Sequence, residues 1–152
     1  MKILDLSLRG VRKKRLALIL LAAALVFGGV AVSRWLPSSG IPGRTPEQRL
    51  AYLQSLGWEP HPECVREKKI LLPEEFPEVL KAYNDIQLQQ GFDLTKYAGK
   101  EIAMYTYELT NFPEDPHAEC SLYVYRGKII GGDVHSPSVN GFMRPLQSKE
   151  NG

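Results

Sequence analysis

Two short stretches of the sequence repeat the pattern His-x-Glu-Cys, which contains residue types that bind metal ions. They are HPEC at residues 61–64 and HAEC at residues 117–120. Two histidines with two cysteines are the ligand set of a structural zinc site. Both copies fall at or beside predicted strands, where successive side chains alternate between the two faces. The His and the Cys of one copy then point to opposite faces, so the sequence predicts no metal site.

The two cysteines, Cys64 and Cys120, are also candidates for a disulfide bridge. The topology predicted below puts them outside the cytoplasm, where a disulfide persists, and equivalent positions in neighbouring strands would let them meet. The alternative is that both thiols are buried as small apolar groups. Cys120 shares its predicted face with Leu122 and Val124, which favours burial. The sequence leaves both interpretations open.

The stretch GGDVHS at residues 131–136 places an acid, a histidine and a serine close together. Asp133 and His135 are two residues apart and share a strand face. A hydrolytic triad also needs an exposed nucleophile and an oxyanion hole. Ser136 precedes a proline at a strand end, and the sequence has no G-x-S-x-G elbow. The pattern therefore indicates a strand that runs into a turn, and no catalytic residue is predicted.

Four tyrosines form the candidate binding feature of the sequence. Tyr105 and Tyr107 share one face of a predicted strand, and Tyr123 and Tyr125 share one face of the next. In one antiparallel register Tyr105 lies opposite Tyr125 and Tyr107 lies opposite Tyr123, which leaves all four rings on the outer face of the sheet. Exposed aromatic rings stack on sugars or hold peptides. The alternative is that cross-strand tyrosines only stabilise the sheet.

Two predicted helices and four predicted strands must position these residues. Thr45 and Gln48 form a capping box that begins the first helix, which Gly57 ends. The second helix is predicted over residues 77–90, with Gly91 as its left-handed cap. Strands are predicted over residues 63–72, 102–110, 118–125 and 128–135, the last two joined by a tight turn at Arg126-Gly127. The order α-β-α-β-β-β predicts an α+β domain with a mainly antiparallel sheet covered by helices on one face.

The N-terminal part of the chain is basic and then apolar. Residues 1–15 hold six Lys or Arg against one Asp, and residues 16–33 hold no charge. At 1.5 Å per residue such a helix spans ~27 Å, close to the hydrocarbon core of a bilayer. Because basic residues beside a span stay in the cytoplasm, the sequence predicts a cytoplasmic tail (1–15), a single transmembrane helix (16–36), a linker (37–44), an extracytoplasmic domain (45–146) and a flexible tail (147–152).

Cleavage is the alternative to anchoring. Residues 29–31, Gly-Val-Ala, have the small residues of a signal-peptide cleavage site, and a cut after Ala31 would secrete the domain. Both interpretations put the domain outside the cytoplasm. Residues 37–152 hold twelve basic and sixteen acidic residues, so this part lacks the basic face that nucleic-acid binding needs.

Residues 45–146 resemble the DUF4830 family of bacterial domains without an assigned function. The resemblance is carried by TPEQRLAYLQSLGW (45–58), PEEFPEVLKAYNDIQLQQGFDLTKYAGK (73–100), YTYELTNFP (105–113), GGDV (131–134) and GFM (141–143). It implies a membrane-attached, outward-facing domain. It supplies no activity, no cofactor and no site residues.

The sequence as a whole favours a non-catalytic binding or interaction module at the bacterial cell envelope. Its expected partners are the lipid bilayer, through residues 16–36, and an envelope protein or cell-wall glycan. An envelope enzyme acting on cell-wall polymers and a structural accessory subunit of a membrane complex stay open as alternatives. No cofactor is expected.

Overall fold

A computed structural model describes residues 39–147 of the chain. The predicted cytoplasmic tail and transmembrane helix lie outside the described residues, as does most of the predicted C-terminal tail. No helix within residues 39–147 is long and apolar enough to cross a membrane. The elements, in chain order, are β1 (Ile41–Pro42), α1 (Pro46–Ser55), β2 (Arg66–Leu71), α2 (Glu78–Leu88), a 3-10 helix (Leu94–Tyr97), β3 (Glu101–Glu108), β4 (Glu119–Tyr125), β5 (Lys128–His135) and β6 (Met143–Pro145).

The local signals at the ends of the elements are confirmed. Thr45 and Gln48 form the predicted capping box at the start of α1. Gly91, which follows α2, has a φ of 80°, a backbone conformation that glycine adopts without steric cost. Arg126 and Gly127 both have positive φ, as a two-residue hairpin turn of the primed type requires.

The strands form one antiparallel sheet in the order β1-β5-β4-β3-β2, with β6 also paired to β5. The α+β class and the antiparallel sheet are therefore confirmed. β1 and β6, of two and three residues, were not predicted, because a strand this short shows no alternation of apolar and polar residues. Both pair with the edge of β5 that faces away from β4.

The prediction that the helices cover one face of the sheet is wrong. Leu53 of α1 belongs to a core cluster with Tyr107, Cys120 and Leu122. Tyr83 of α2 packs against a second cluster, with Ile102 and Ile130. Because neighbouring strand residues such as Leu122 and Tyr123 fall in different clusters, the clusters lie on opposite faces, which we call the α1 face and the α2 face.

The reason for this arrangement is the composition of the central strand. β4 is buried or half-buried along its whole length, so side chains on both of its faces must be covered. One helix is available for each face, and α1 and α2 each bury one side of β3, β4 and β5.

We predict that Leu53→Ala lowers the free energy of unfolding by ~2–5 kcal/mol, because it leaves a cavity in the α1-face core. Leu53 is 0% exposed. Leu88→Ala is the matched control, since Leu88 is also helical but is 51% exposed, and it should cost less than ~1 kcal/mol. Urea unfolding of the two variants measures both values. Equal losses would contradict the assignment of α1 to this core.

Candidate functional site

The predicted ladder of four tyrosines on one outer face does not form. Tyr105 pairs with Leu122 and Tyr107 with Cys120, a register three residues away from the predicted one. An odd shift moves a strand's side chains to the other face of the sheet. Tyr105 and Tyr107 consequently lie on the α1 face, whereas Tyr123 and Tyr125 lie on the α2 face.

The four tyrosines take part in packing on their separate faces. Tyr107 is fully buried, and its hydroxyl accepts a hydrogen bond of 2.8 Å from Arg49 Nε. The Arg49 guanidinium lies 3.6 Å from the centre of the Tyr105 ring. On the other face, Tyr123 and Tyr125 pack edge-on against Tyr83 and Tyr97.

The two cysteines are free thiols in the structure, not the disulfide that the sequence left open. Cys64 is exposed and Cys120 is buried. Cys120 packs in the α1-face core as a small apolar group, and burial raises its pKa. No group of three His, Cys, Asp or Glu residues within 39–147 is arranged to hold a metal ion.

The α2 face carries a network of acids and a histidine, built on β4 and β5. His135 Nδ1 lies 2.7 Å from Asp133 Oδ1, and His135 Nε2 lies 3.3 Å from Glu119 Oε2. Tyr83 of α2 donates its hydroxyl to Asp133 Oδ2. Arg66 of β2 approaches Glu119 Oε2 at 3.4 Å. Three strands and one helix are therefore joined through five side chains, which we call the Asp133 network.

Burial and charge determine the protonation of this network. Asp133 is 1% exposed. The pKa of His135 is raised above its ordinary value, first by the hydrogen bond with Asp133 and then by the charge of Asp133. The charge of Glu119 raises it further, by a smaller amount. Burial, followed by the charge of Asp133, raises the pKa of Tyr83, so the phenol stays a neutral donor. The network thus favours a protonated imidazole between two carboxylates.

This arrangement is suited to holding elements together rather than to acid–base chemistry. Both ring nitrogens of His135 are occupied by carboxylates. Ser136 does not complete a triad with Asp133 and His135, because its hydroxyl donates to Asp115 Oδ2 at 2.6 Å. The sequence pattern places Asp133 and His135 together but does not point to Tyr83, because the contact of Tyr83 with Asp133 joins residues 50 positions apart.

An open pocket of about 310 Å³ lies on the α1 face, beside the hairpin turn of β4 and β5. Its charged lining is Arg44, Lys69, Glu101 and Arg126, and the remainder is Ile102, Ala103, Tyr105, Val124 and Gly127. Lys69 and Glu101 form an ion pair of 3.2 Å. The sequence does not predict this pocket, because Arg44 falls in the predicted linker and Arg126 in the predicted turn.

Comparison with known proteins identifies one family. The model of a domain of unknown function, DUF4830, matches residues 52–134, more than half of the chain. The match runs from α1 into β5 and therefore covers most of the described domain. No curated protein and no solved structure matches the chain.

We predict that the stability contributed by His135 decreases as the pH rises. Because the folded-state pKa of His135 is raised above 6.5, the protonated imidazole contributes fully below the unfolded-state pKa, and its contribution is lost as the pH passes the folded-state pKa. The difference in free energy of unfolding between the wild type and His135→Gln should therefore shrink from about pH 6 to about pH 9. Urea unfolding over this range measures it.

Nuclear magnetic resonance provides the control for this prediction. Asp133→Asn removes the first cause of the shift, so the imidazole pKa of His135 should fall in this variant. An imidazole that titrates at or below 6.5 in the wild type would contradict the described network.

Proposed function

The chain belongs to the DUF4830 family, and we propose that it is a non-catalytic binding module held on the outer side of a bacterial membrane. Residues 16–36 act as the anchor, and the domain that begins near residue 40 carries the binding function. Its partner is an envelope protein or a cell-wall glycan. Nucleic acid is not a partner.

The anchor is supported by the distribution of charge. Six basic residues precede an uncharged stretch over residues 16–33, and basic residues beside a span resist translocation. The part of the chain from residue 37 onward has four more acidic than basic residues. This charge weakens association with a negatively charged membrane surface or with nucleic acid.

The burial of Asp133 is the observation that carries the non-catalytic part of the proposal. General acid–base catalysis needs a titratable group within hydrogen-bonding reach of the substrate. Asp133 is 1% exposed and is covered by Tyr83 and His135. The open pocket on the α1 face presents two arginines, the ion pair of Lys69 and Glu101, and apolar side chains, and such a mixture is the composition of a binding site.

We predict that a tag placed after Leu146 is digested by protease added to intact protoplasts. The apolar stretch carries the domain out, while the basic residues before it stay inside. A tag placed before Lys2 is the matched control and should be digested only after lysis. Protection of the C-terminal tag until lysis would overturn the outward orientation.

We predict that the full chain in mild detergent sediments with cell-wall material or crosslinks to an envelope protein without releasing soluble fragments. Release of soluble fragments would favour the envelope enzyme. Crosslinking of all copies into one large species of defined size would favour the accessory subunit.

A further inference from the structure

We propose that the pocket on the α1 face binds a phosphate monoester group. This inference rests on the proposed binding function and adds the chemical class of the ligand. The pocket is described by its lining residues Arg44, Lys69, Glu101 and Arg126, with Tyr105 on its apolar side.

The charges in the pocket favour an anion. Lys69 and Glu101 neutralise each other in an ion pair. Within residues 39–147, neither Arg44 nor Arg126 forms a salt bridge with a carboxylate. Two positive charges thus remain in a domain that carries an excess of acids.

The backbone around Arg44 is held in place by a buried side chain. Arg49 Nη1 donates to the carbonyl oxygens of Gly43 and Arg44 at 3.1 and 3.2 Å. The Gly43 N–H donates to the Gly127 carbonyl oxygen at 3.0 Å. A Cβ atom on Gly127 would lie 2.9 Å from Arg44 Nε, so a glycine at this position leaves room for the guanidinium. Arg44 is therefore preorganised at the pocket.

Arg126 occupies a backbone position that arginine disfavours. Its φ of 48° is the single positive value among the non-glycine residues that the structure describes. Turns of this type prefer Asn, Asp or Gly because left-handed φ values strain other residues. Arg126 lines the pocket, and its guanidinium lies 5.2 Å from the centre of the Tyr125 ring at the end of the hairpin. Strained backbone positions of this kind cluster at functional sites.

A third guanidinium lies behind the apolar wall. Arg49 is buried and lies over the Tyr105 ring. Its hydrogen bonds reach a hydroxyl and two carbonyl groups, and it forms no salt bridge with an acid of the described domain. Its charge adds to the positive potential of the pocket, although the carboxylates of Glu47 and Glu67 lie near enough to offset part of it.

The phosphate monoester fits this set of groups in charge, geometry and size. It carries a charge of about −1.5 to −2 near pH 7, which balances the two guanidinium groups that lack a carboxylate. Guanidinium forks match phosphate oxygens with paired hydrogen bonds. A pocket of about 310 Å³ holds such a group with a short carbon chain against Ala103 and Val124.

The test is calorimetric titration of the full chain in neutral detergent with inorganic phosphate, glycerol phosphate and acetate. Glycerol phosphate should bind and acetate should bind more weakly. Arg44→Gln should weaken phosphate binding by ~10-fold or more, the effect of losing a charge-assisted hydrogen-bonded contact. Arg144→Gln, which removes an equal charge outside the pocket, should change the affinity less than about twofold.

The Arg126→Gly variant distinguishes a loss of phosphate binding from a loss of stability. Glycine relieves the strained φ, so the melting temperature should hold or rise while phosphate affinity falls. Doping the micelles with phosphatidic acid tests the source of the group: competition with glycerol phosphate indicates a lipid headgroup, and its absence indicates a soluble ester.

Two results would overturn the proposal: no heat of binding with any phosphate probe, or wild-type affinity in both Arg44→Gln and Arg126→Gly. Neither result affects the proposed outward orientation of the domain. That orientation is contradicted only if the C-terminal tag is protected from protease in intact protoplasts. If the C-terminal tag proved to lie inside while phosphate still bound, the outward orientation would be wrong and the phosphate site would stand.

Discussion

The buried guanidinium of Arg49 is the interaction on which the α1 face depends. A charge removed from water must be compensated, and here a tyrosine hydroxyl, two carbonyl oxygens and an aromatic ring surround it. These partners belong to β3 and to the segment between β1 and α1. One side chain thereby fixes the helix, the segment that precedes it and the central sheet relative to one another. Arg49 thereby also positions Arg44 and the Tyr105 ring at the wall of the pocket.

The α2 face uses a different kind of interaction for a similar purpose. The Asp133 network joins α2 to β5, β4 and β2 through hydrogen bonds that end on carboxylates. Each face of the sheet therefore has an apolar core with buried charged groups at its side, Arg49 on the α1 face and Asp133 with Glu119 on the α2 face. Such groups contribute little net stability, but a misaligned strand would leave them unpaired. Their pairing therefore favours the observed register of the strands over one that would leave them unpaired.

Features that depend on residues close together in the sequence were predictable, whereas features that depend on contacts between distant residues were not. The capping box of Thr45 and Gln48, the glycine after α2 and the turn at Arg126 depend on neighbouring residues, and all were predicted correctly. The register of β3 against β4 was not, because the connection between Glu108 and Glu119 is too long to act as a tight turn that sets the pairing. The contacts of Arg49 with Tyr107 and of Tyr83 with Asp133 link residues 58 and 50 positions apart, and no local pattern encodes them. The pocket was missed because two of its cations come from connecting segments.

Because β1 and β6 pair with the same edge of β5, the order of the chain segments in this domain could be changed. Ile41 of β1 pairs with Ile129, and Pro145 of β6 pairs with Asp133, so the two short strands follow one another along a single edge, about 13 Å apart at ~3.3 Å per residue. They amount to the two halves of one interrupted strand. A short linker from residue 146 to residue 40 would close that interruption, and the polypeptide could then be opened at another loop as a circular permutant with the same sheet.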